Sequence, residues 1–592
     1  MKKLLSLITI AIVCAVLIPL TALKVGAWDN GLAPTPPMGW NSWNIFHGDI
    51  NETKIKQIAD AMVSTGMKDA GYVYLNLDDN WMANPARDSN GNLRADPSRF
   101  PNGIKSLADY VHSKGLKLGI YGDRGTMTCM NVPQSGSKGY EDKDAKTFAS
   151  WGIDYLKYDN CNIPGGSDMK TDYQKMQTAL SNCGRPIVFS ICAWEYQSWM
   201  PATGNLWRTT RDITDKWDTG TAFFRGIINL IDENSQYTSS AKPGAWNDPD
   251  MLEIGNGGCT AEEYRTQMSM WSMMAAPLIA GNDIRNMNQT TKDILLNTEV
   301  IAIDQDAAGI QGSRIKSANG LEVWCKPLGN STGTVKAVAL LNRNSTAANI
   351  TVNWSDIGLN GSVSVRDLWA KADKGNFTGS YTASVPSHGT VMLKVSSIPS
   401  QISAFTKIEA ENYYTQSGIQ LETCSEGGQN VGYIENGDYI VFQNVDFGSG
   451  AGSFQARVSS ATEGGNIEIR LDSSTGTLAG TCPVDGTGDW QTWADAKCNV
   501  SGATGKHDLY LKFTGGSGYL FNLNWFTFGK ESAVIPGDIN SDGQVDSIDL
   551  QLLKAYLLGS GTIENTQAAD MDASGEINAI DFALLKQYLL TL

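Results

Sequence analysis

Eight aspartates stand at or just beyond the ends of short apolar runs in the first half of the chain: Asp78 and Asp79, Asp123, Asp159, Asp212, Asp248 and Asp250, and Asp283. Paired carboxylates of this kind can split a glycosidic bond, one as nucleophile or base and one as proton donor. The runs that would position them are Met38–Trp43, Tyr72–Leu77, Leu116–Tyr121, Ile153–Tyr158, Ile187–Ala193, Leu206–Thr210, Ala245–Asn247 and Leu278–Ala280. Amphipathic segments such as Ile104–His112 and Thr260–Trp271 separate them. Eight strand–helix units in about 280 residues predict a (β/α)8 barrel over 28–310. The C-terminal ends of barrel strands converge on one mouth, where active sites are built. A ring of acids there, joined by Trp40, Trp43, Tyr121 and Trp246, describes a pocket for a neutral polyhydroxylated ligand.

A second chemistry lies near the C-terminus. Two near-repeats, 538–549 and 570–581, place oxygen-bearing side chains at loop positions 1, 3, 5, 9 and 12 and glycine at position 6. The ligand sets are Asp538, Asn540, Asp542, Asp546 and Asp549, then Asp570, Asp572, Ser574, Asn578 and Asp581. That spacing wraps a hard cation in oxygens, with the glycine allowing the bend. An apolar helix is expected after each loop. Half an EF-hand repeated in this way resembles a type I dockerin. The resemblance implies two calcium ions and docking onto a cohesin domain of a scaffold protein. It also implies that loop positions 10 and 11, here Ser547-Ile548 and Ala579-Ile580, select the partner through a buried apolar contact. Two such similar halves suggest two related docking orientations.

Composition narrows the partners. The 592-residue chain carries a net charge of −16 and no basic stripe, which excludes nucleic acid as an expected partner. The acidic, Trp-rich and Gly-rich chain suits neutral carbohydrate, since aromatic faces stack on sugar rings. Met1-Lys2-Lys3 followed by an apolar run to Leu20 reads as a secretory signal over 1–27, with Val25-Gly26-Ala27 as the cleavage site. No other segment could span a bilayer, so a secreted, extracellular protein is expected without a membrane contact. Of the cysteines beyond Cys14, an odd number leaves at least one thiol free. Cys482–Cys498 is one expected bridge.

After the barrel, short alternating strands predict an antiparallel β-domain over 311–397, a β-sandwich module over 405–530, and a small α-helical calcium-binding tail over 536–592.

Within the barrel, Pro37-Met-Gly-Trp-Asn-Ser-Trp43, Leu77-Asp-Asp-Asn-Trp81, Gly119-Ile-Tyr-Gly-Asp123, Tyr155-Leu-Lys-Tyr-Asp-Asn-Cys161, Trp207-Arg-Thr-Thr-Arg-Asp212 and Trp246-Asn-Asp-Pro-Asp-Met251 arrive in order. They resemble glycoside hydrolase family 27, the retaining α-galactosidases, which need no catalytic cofactor. The resemblance implies that Asp159 is the nucleophile, kept ionised by Lys157 on the same strand face. Asp212 would be the acid/base, with Asp215 as its rival. The two carboxyls should lie ~5–5.5 Å apart in a retaining enzyme. Arg208 would bond the substrate 2-hydroxyl, Asp78 and Asp79 would accept from O6 and O4, and Trp43 would pack on the sugar's apolar face. Tyr121, Asp250 and Met251 would complete the wall, and Cys129–Cys161 would bridge beside the nucleophile. The implied substrates are galactomannan and raffinose-type oligosaccharides.

One motif departs from the family. Where it carries Cys-Glu-Trp, this chain has Cys192-Ala-Trp194, which could open room for a 2-acetamido group as in the α-N-acetylgalactosaminidases. Glu195, or a shifted alignment, would otherwise restore the contact. A β-L-arabinopyranoside, lacking the hydroxymethyl group, is a third alternative.

Residues 405–530 resemble a carbohydrate-binding module of family 6, or its relative family 35, through Ile408-Glu-Ala-Glu-Asn-Tyr413, Val431–Tyr439, Asp489–Trp493 and Phe521–Phe528. Tyr433 and Trp490 are the candidates for sugar stacking and Asn522 for bonding a hydroxyl. Glu409 and Glu411, two apart on an expected strand, would share a face and hold a structural calcium.

Overall fold

The computed structural model describes residues 28–329, 333–398, 401–530 and 534–591, so the expected signal segment lies outside the described residues. The chain divides into two compact units, Met1–Ile398 and Pro399–Leu592.

The first unit begins with eight parallel strands: β1 Met38–Asn41, β2 Tyr74–Leu77, β3 Lys117–Asp123, β4 Tyr155–Asp159, β5 Val188–Ile191, β6 Leu206–Arg208, β7 Trp246–Asp248 and β8 Leu278–Ala280. They pair in the order β8-β1-β2-β3-β4-β5-β6-β7. A parallel bridge from Leu252, just past β7, to Ala280 in β8 closes the barrel. β1, β2 and β5 are buried along their whole length, as strands covered on both faces must be. Each expected strand is present; β1, β2, β4, β5 and β6 are shorter than expected, β3 extends on to Asp123, and Trp43, read as strand, instead opens the helical turn Trp43–Phe46.

The surrounding helices start on their own signals. Asn51 caps Glu52–Ser64 by accepting from the Lys54 amide at 2.8 Å, and Thr260 with Glu263 forms a capping box at Ala261–Met273. The second of these helices carries the β-domain. Met268, Trp271 and Met273 share one core with Trp324, Ala337, Ala339 and Met392, and Thr266 donates to the His388 carbonyl at 2.8 Å. That β-domain is a six-stranded antiparallel sheet running from Ser313–Ala318 to Thr390–Ile398, with a further pair of strands, Ala348–Asn353 and Ser380–Val385.

In the second unit, two antiparallel sheets enclose a core that includes Phe442, Phe454, Phe513, Phe526 and Phe528. The tail that follows has helices Ser547–Leu557 and Ala579–Leu589 after the two loops, and a short helix Thr566–Ala569 between them. Its core is small: Ile539, Leu553, Ala569 and Leu585 are its buried members.

Candidate active site

β4 positions the central acid. Along it Lys157 and Asp159 share the barrel-facing side, while Leu156 and Tyr158 belong to the core beneath the helices. Parallel register sets Tyr121 of β3 beside Lys157 and Asp123 beside Asp159. The strand ends open into a cavity of about 480 Å³ lined by Trp43, Asp78, Asp79, Tyr121, Cys129, Lys157, Asp159, Arg208, Asp212, Asp250 and Met251. Every barrel residue expected at the substrate is therefore in one pocket, and Cys129 is bridged to Cys161 at its edge.

Asp159 is 6 % exposed and accepts from the Tyr121 hydroxyl at 2.9 Å and from the Asn160 amide at 2.9 Å. Burial pushes its carboxyl up to about 6; Lys157 pulls it down, the Asp212 charge raises it, and the Tyr121 hydrogen bond lowers it. Lys157 does not bond Asp159 directly. Its ammonium pairs with Asp78 at 2.8 Å and acts on Asp159 through the field alone. Asp78 also accepts from Asn41 Nδ2 at 2.8 Å. Asp79 accepts from the amides of Asn80 at 2.6 Å and Met130 at 2.9 Å, and burial lifts it to about 6.

Asp212 differs from these acids. Its side chain is 45 % exposed at the pocket mouth, and its partner is Arg208 Nη2 at 3.2 Å. Arg208 Nη1 pairs with Asp250 at 3.0 Å, Nη2 also donates to the Thr210 carbonyl, and Nε has no partner. Asp250 accepts from the Ile213 amide at 2.8 Å and is raised by burial, with Arg208 opposing. The rival Asp215 lines the same pocket but is engaged on both oxygens by the Tyr264 hydroxyl at 2.8 Å and also accepts from the Gly258 amide.

Five expected members of the ring lie elsewhere, among them Asp248, which accepts from the Asp250 amide at 2.8 Å. Asp123 is fully buried beneath the mouth, accepting from the amides of Gly125 and Cys161, and burial lifts it to about 8. Asp283 is engaged by Arg285. Trp40 and Trp246 are core residues whose indoles donate to the carbonyls of Asn282 and Ala33. The pocket also contains Asn44 and Trp194, which directly follow the runs Met38–Trp43 and Ile187–Ala193, and His47 and Glu253, which do not stand at a run's end. Glu253 is 4 % exposed, accepts from Asn44 and Asn256, and is lifted by burial to about 8. At the departing motif, Glu195 is exposed and bonded to Gln197, so it does not replace the missing glutamate; Trp194 lines the pocket in a left-handed conformation at φ +61°.

Known proteins are similar to this chain. Residues 35–306 match the family model for alpha galactosidase A, and 318–395 match its C-terminal beta sandwich domain. The α-galactosidase of Oryza sativa subsp. japonica is 52 % identical over 371 residues, covering 62 % of this chain and 86 % of the rice protein. The chain belongs to the α-galactosidase family. It is a glycoside hydrolase of that specificity. Human alpha-galactosidase A is 45 % identical over 337 residues, covering 54 % of this chain and 76 % of its own length. Among solved structures, alpha-galactosidase I from Mortierella vinacea is 41 % identical at a TM-score of 0.59, covering 62 % of this chain and all of that one. The Saccharomyces cerevisiae enzyme solved with raffinose is 29 % identical at 0.58, covering 62 % and 98 %.

Beyond the α-galactosidase barrel, 409–530 match carbohydrate binding module family 6 and 536–590 match the dockerin type I domain, which binds calcium. In the module, Tyr433 is 40 % exposed and meets Tyr519 edge-on at 5.5 Å. Trp490 is half-buried, and Asn522 is buried with its amide donating to Glu422 at 2.7 Å and to the Trp490 carbonyl at 2.8 Å. Tyr519, also exposed, escaped the sequence reading because no motif frames it.

Glu409 and Glu411 do not share a strand. Glu409 ends the two-residue strand Ile408–Glu409 and pairs with Lys407, whereas Glu411 lies in the 3-10 turn Ala410–Asn412. Glu411 still fits a cation, since its Oε2 is buried without a partner. Cys482 and Cys498, on the strands Leu478–Asp485 and Asp489–Asn499, are free thiols rather than a bridge.

The two dockerin loops share one hydrogen-bonded geometry, and the second gathers a cluster of carboxylates that fits a cation. Asp549 and Asp581 are fully buried at position 12, each accepting from amides at positions 2, 3 and 9 of its loop. Carboxylate oxygens of Asp570, Asp572 and Asp581 lie within 4.8 Å of one another. Asp538 and Asp570, at the first positions, each accept from the amides at positions 5 and 6, and Asn540, Asp542, Asp546, Ser574 and Asn578 would add further ligands. Gly543 and Gly575 sit at φ +87° and +84°, which a side chain would strain.

Proposed function

We propose that this chain is a secreted, retaining exo-α-galactosidase. It would trim terminal α-galactosyl groups from galactomannan and raffinose-type oligosaccharides while its dockerin holds it on a cohesin-bearing scaffold. One observation carries the mechanism: two carboxylates in one pocket, Asp159 buried and bonded to Tyr121, Asp212 exposed at the mouth beside Arg208. Asp159 would attack the anomeric carbon. Asp212 would give its proton to the leaving oxygen and later take one from the attacking water. Asp78 and Asp79, buried and already hydrogen-bonded, would reject a sugar that misplaces O4 or O6, because a buried carboxylate would lose its partner. Trp43, Tyr121, Asp250 and Met251 would form the wall, and Arg208 would orient Asp212 and offer Nε to the 2-hydroxyl. No helix among the described residues is long and apolar enough to cross a membrane, which is compatible with secretion. Glu411 would hold a structural calcium in the module, and Tyr433, Trp490 and Asn522 would meet its sugar.

Initial rates on nitrophenyl α-galactoside and α-N-acetylgalactosaminide, with NMR of the first sugar released, test this reading. The expected result is strong preference for the galactoside and release of the α-anomer. Preference for the acetamido sugar would assign Ala193 an enlarged 2-position pocket. Silence on both would favour the arabinopyranoside.

The acid limb follows from Asp159. The attacking carboxylate must be ionised, so kcat/KM should fall about tenfold per unit as pH drops below about 6. Stability runs the other way. A folded pKa raised above the unfolded value favours the native state at low pH, and that contribution disappears as pH rises through about 6. A pH–rate profile with the acid limb below 5 would contradict the burial argument.

A further inference from the structure

Asp212 sits half-exposed at the mouth, its side chain held by Arg208 alone among the described residues. Its placement therefore depends on the backbone that carries it. That backbone folds onto itself. The Arg225 amide donates to the Asp212 carbonyl at 2.8 Å, and the amides of Ile227 and Ile228 donate to the carbonyls of Lys216 and Trp217 at 2.9 and 3.0 Å. Residues 212–228 thus form one clasp, and its Trp217 ring stacks on the ring of His388, a residue of the β-domain. The ring centroids are 4.5 Å apart and the planes lie 9° from parallel.

His388 is itself fixed. It sits at φ +53°, a conformation that residues with a Cβ seldom adopt. Its amide donates to the Asn344 carbonyl at 3.2 Å, its carbonyl accepts from the Thr266 hydroxyl at 2.8 Å, and its Nδ1 lies 2.7 Å from Glu263 Oε1. The other Glu263 oxygen accepts from the Thr260 amide at 2.7 Å. Glu263 and Tyr264 are neighbours at the start of helix Ala261–Met273, and Tyr264 grips Asp215. One helix start therefore holds the clasp at two points, directly through Asp215 and by way of His388 through Trp217. The β-domain also grips the helix Ile227–Asn234 that continues the clasp. There Asp232 accepts from both Arg343 Nη atoms at 2.7 and 2.8 Å and pairs with Arg314.

Proton transfer demands this kind of bracing, because a displacement of about 1 Å can cost on the order of 100-fold in rate. The geometry points to His388 as a positioning residue for the acid/base: through its stack on Trp217, the β-domain holds the Asp212 loop where the proton must be given. This rests on the α-galactosidase reading above, with Asp212 as its proton donor.

The test separates substrates by their need for that proton. Melibiose releases a sugar hydroxyl, whose oxygen must be protonated as the bond breaks, whereas α-galactosyl fluoride releases fluoride ion and needs no proton. His388→Asn removes the ring with a residue that tolerates the positive φ. In the full chain its kcat/KM on melibiose should fall about tenfold, mostly through kcat. On the fluoride kcat/KM should change less than about twofold, which also shows that the fold and the galactose pocket survive. Trp217→Leu should give the same split between substrates. The double variant should lie within about twofold of either single one, because one contact can be lost only once. Equal losses on both substrates, no loss on melibiose, or losses that multiply in the double variant would overturn the assignment. Failure of the underlying reading would show separately: Asp212→Asn in the otherwise unmodified chain would then lose as much on the fluoride as on melibiose.

Discussion

Asp159→Asn is expected to lower kcat on nitrophenyl α-galactoside by on the order of 10⁴-fold or more, because the lost group acts only in the transition state. The amide is nearly isosteric and its oxygen can still accept from the Tyr121 hydroxyl, which now reaches the carboxylate at 2.9 Å. Folding should therefore survive. The substitution removes a buried carboxylate raised to about 6, so Tm at pH 7 should hold or increase. A sharper version uses Asp159→Gly with azide. The anion enters the vacated β-face, bonds the anomeric carbon as the aglycone leaves with a proton, and gives β-galactosyl azide. Residual activity of Asp159→Asn above about one per cent of wild type, with the fold intact, would return the nucleophile to another carboxylate of the ring. Asp123 is a poor substitute, since it is fully buried and bonded to backbone amides.

Removing calcium is expected to abolish cohesin binding while leaving α-galactosidase activity untouched. Each dockerin loop gathers acids whose charges repel without a cation, and the core beneath them is too small to hold the tail together. Two sites, each filled at about 100 times its Kd, would supply roughly 2.7 kcal/mol apiece to the folded tail. Titrating a matching cohesin into the full chain with calcium and then with chelator checks this, with at least a hundredfold weakening expected. The apolar contact is ready for a partner. Ile548 and Ile580 at position 11 are 51 % and 56 % exposed, in equivalent places on the two halves. Binding indifferent to chelator would defeat the calcium-dependent docking.

Much of the site was legible because strands make local rules visible. Lys157 and Asp159, two apart, had to share a face, and the alternation held. The glycine and acid spacing of the calcium loops is likewise a local geometric requirement, and both loops closed on it. Motifs failed where the decisive partner is distant in sequence. Asp123 was grouped with the pocket acids, yet the Cys161 amide, 38 residues on, draws it beneath the mouth. Asp283 has an arginine two residues away that a count of strand ends ignores. Glu253 and Trp194 were missed because they lie on loops, and Asn44 because it lies in the short helical turn after β1, where no strand period announces which way a side chain turns. Glu409 and Glu411 were misread by assuming a strand that ends after Glu409.

The residues alone therefore determined the barrel, the sandwich, the calcium loops and the identity of the acids at the strand ends, since periodicity and fixed spacing are properties of neighbouring residues. Only the tertiary structure decided which acids share a pocket, how buried each is, and that Asp215 is engaged by Tyr264 while Asp212 is left at the mouth. Those outcomes depend on hydrogen bonds and burial set by loops from several strands meeting at one end of the barrel, and no single stretch of sequence contains them.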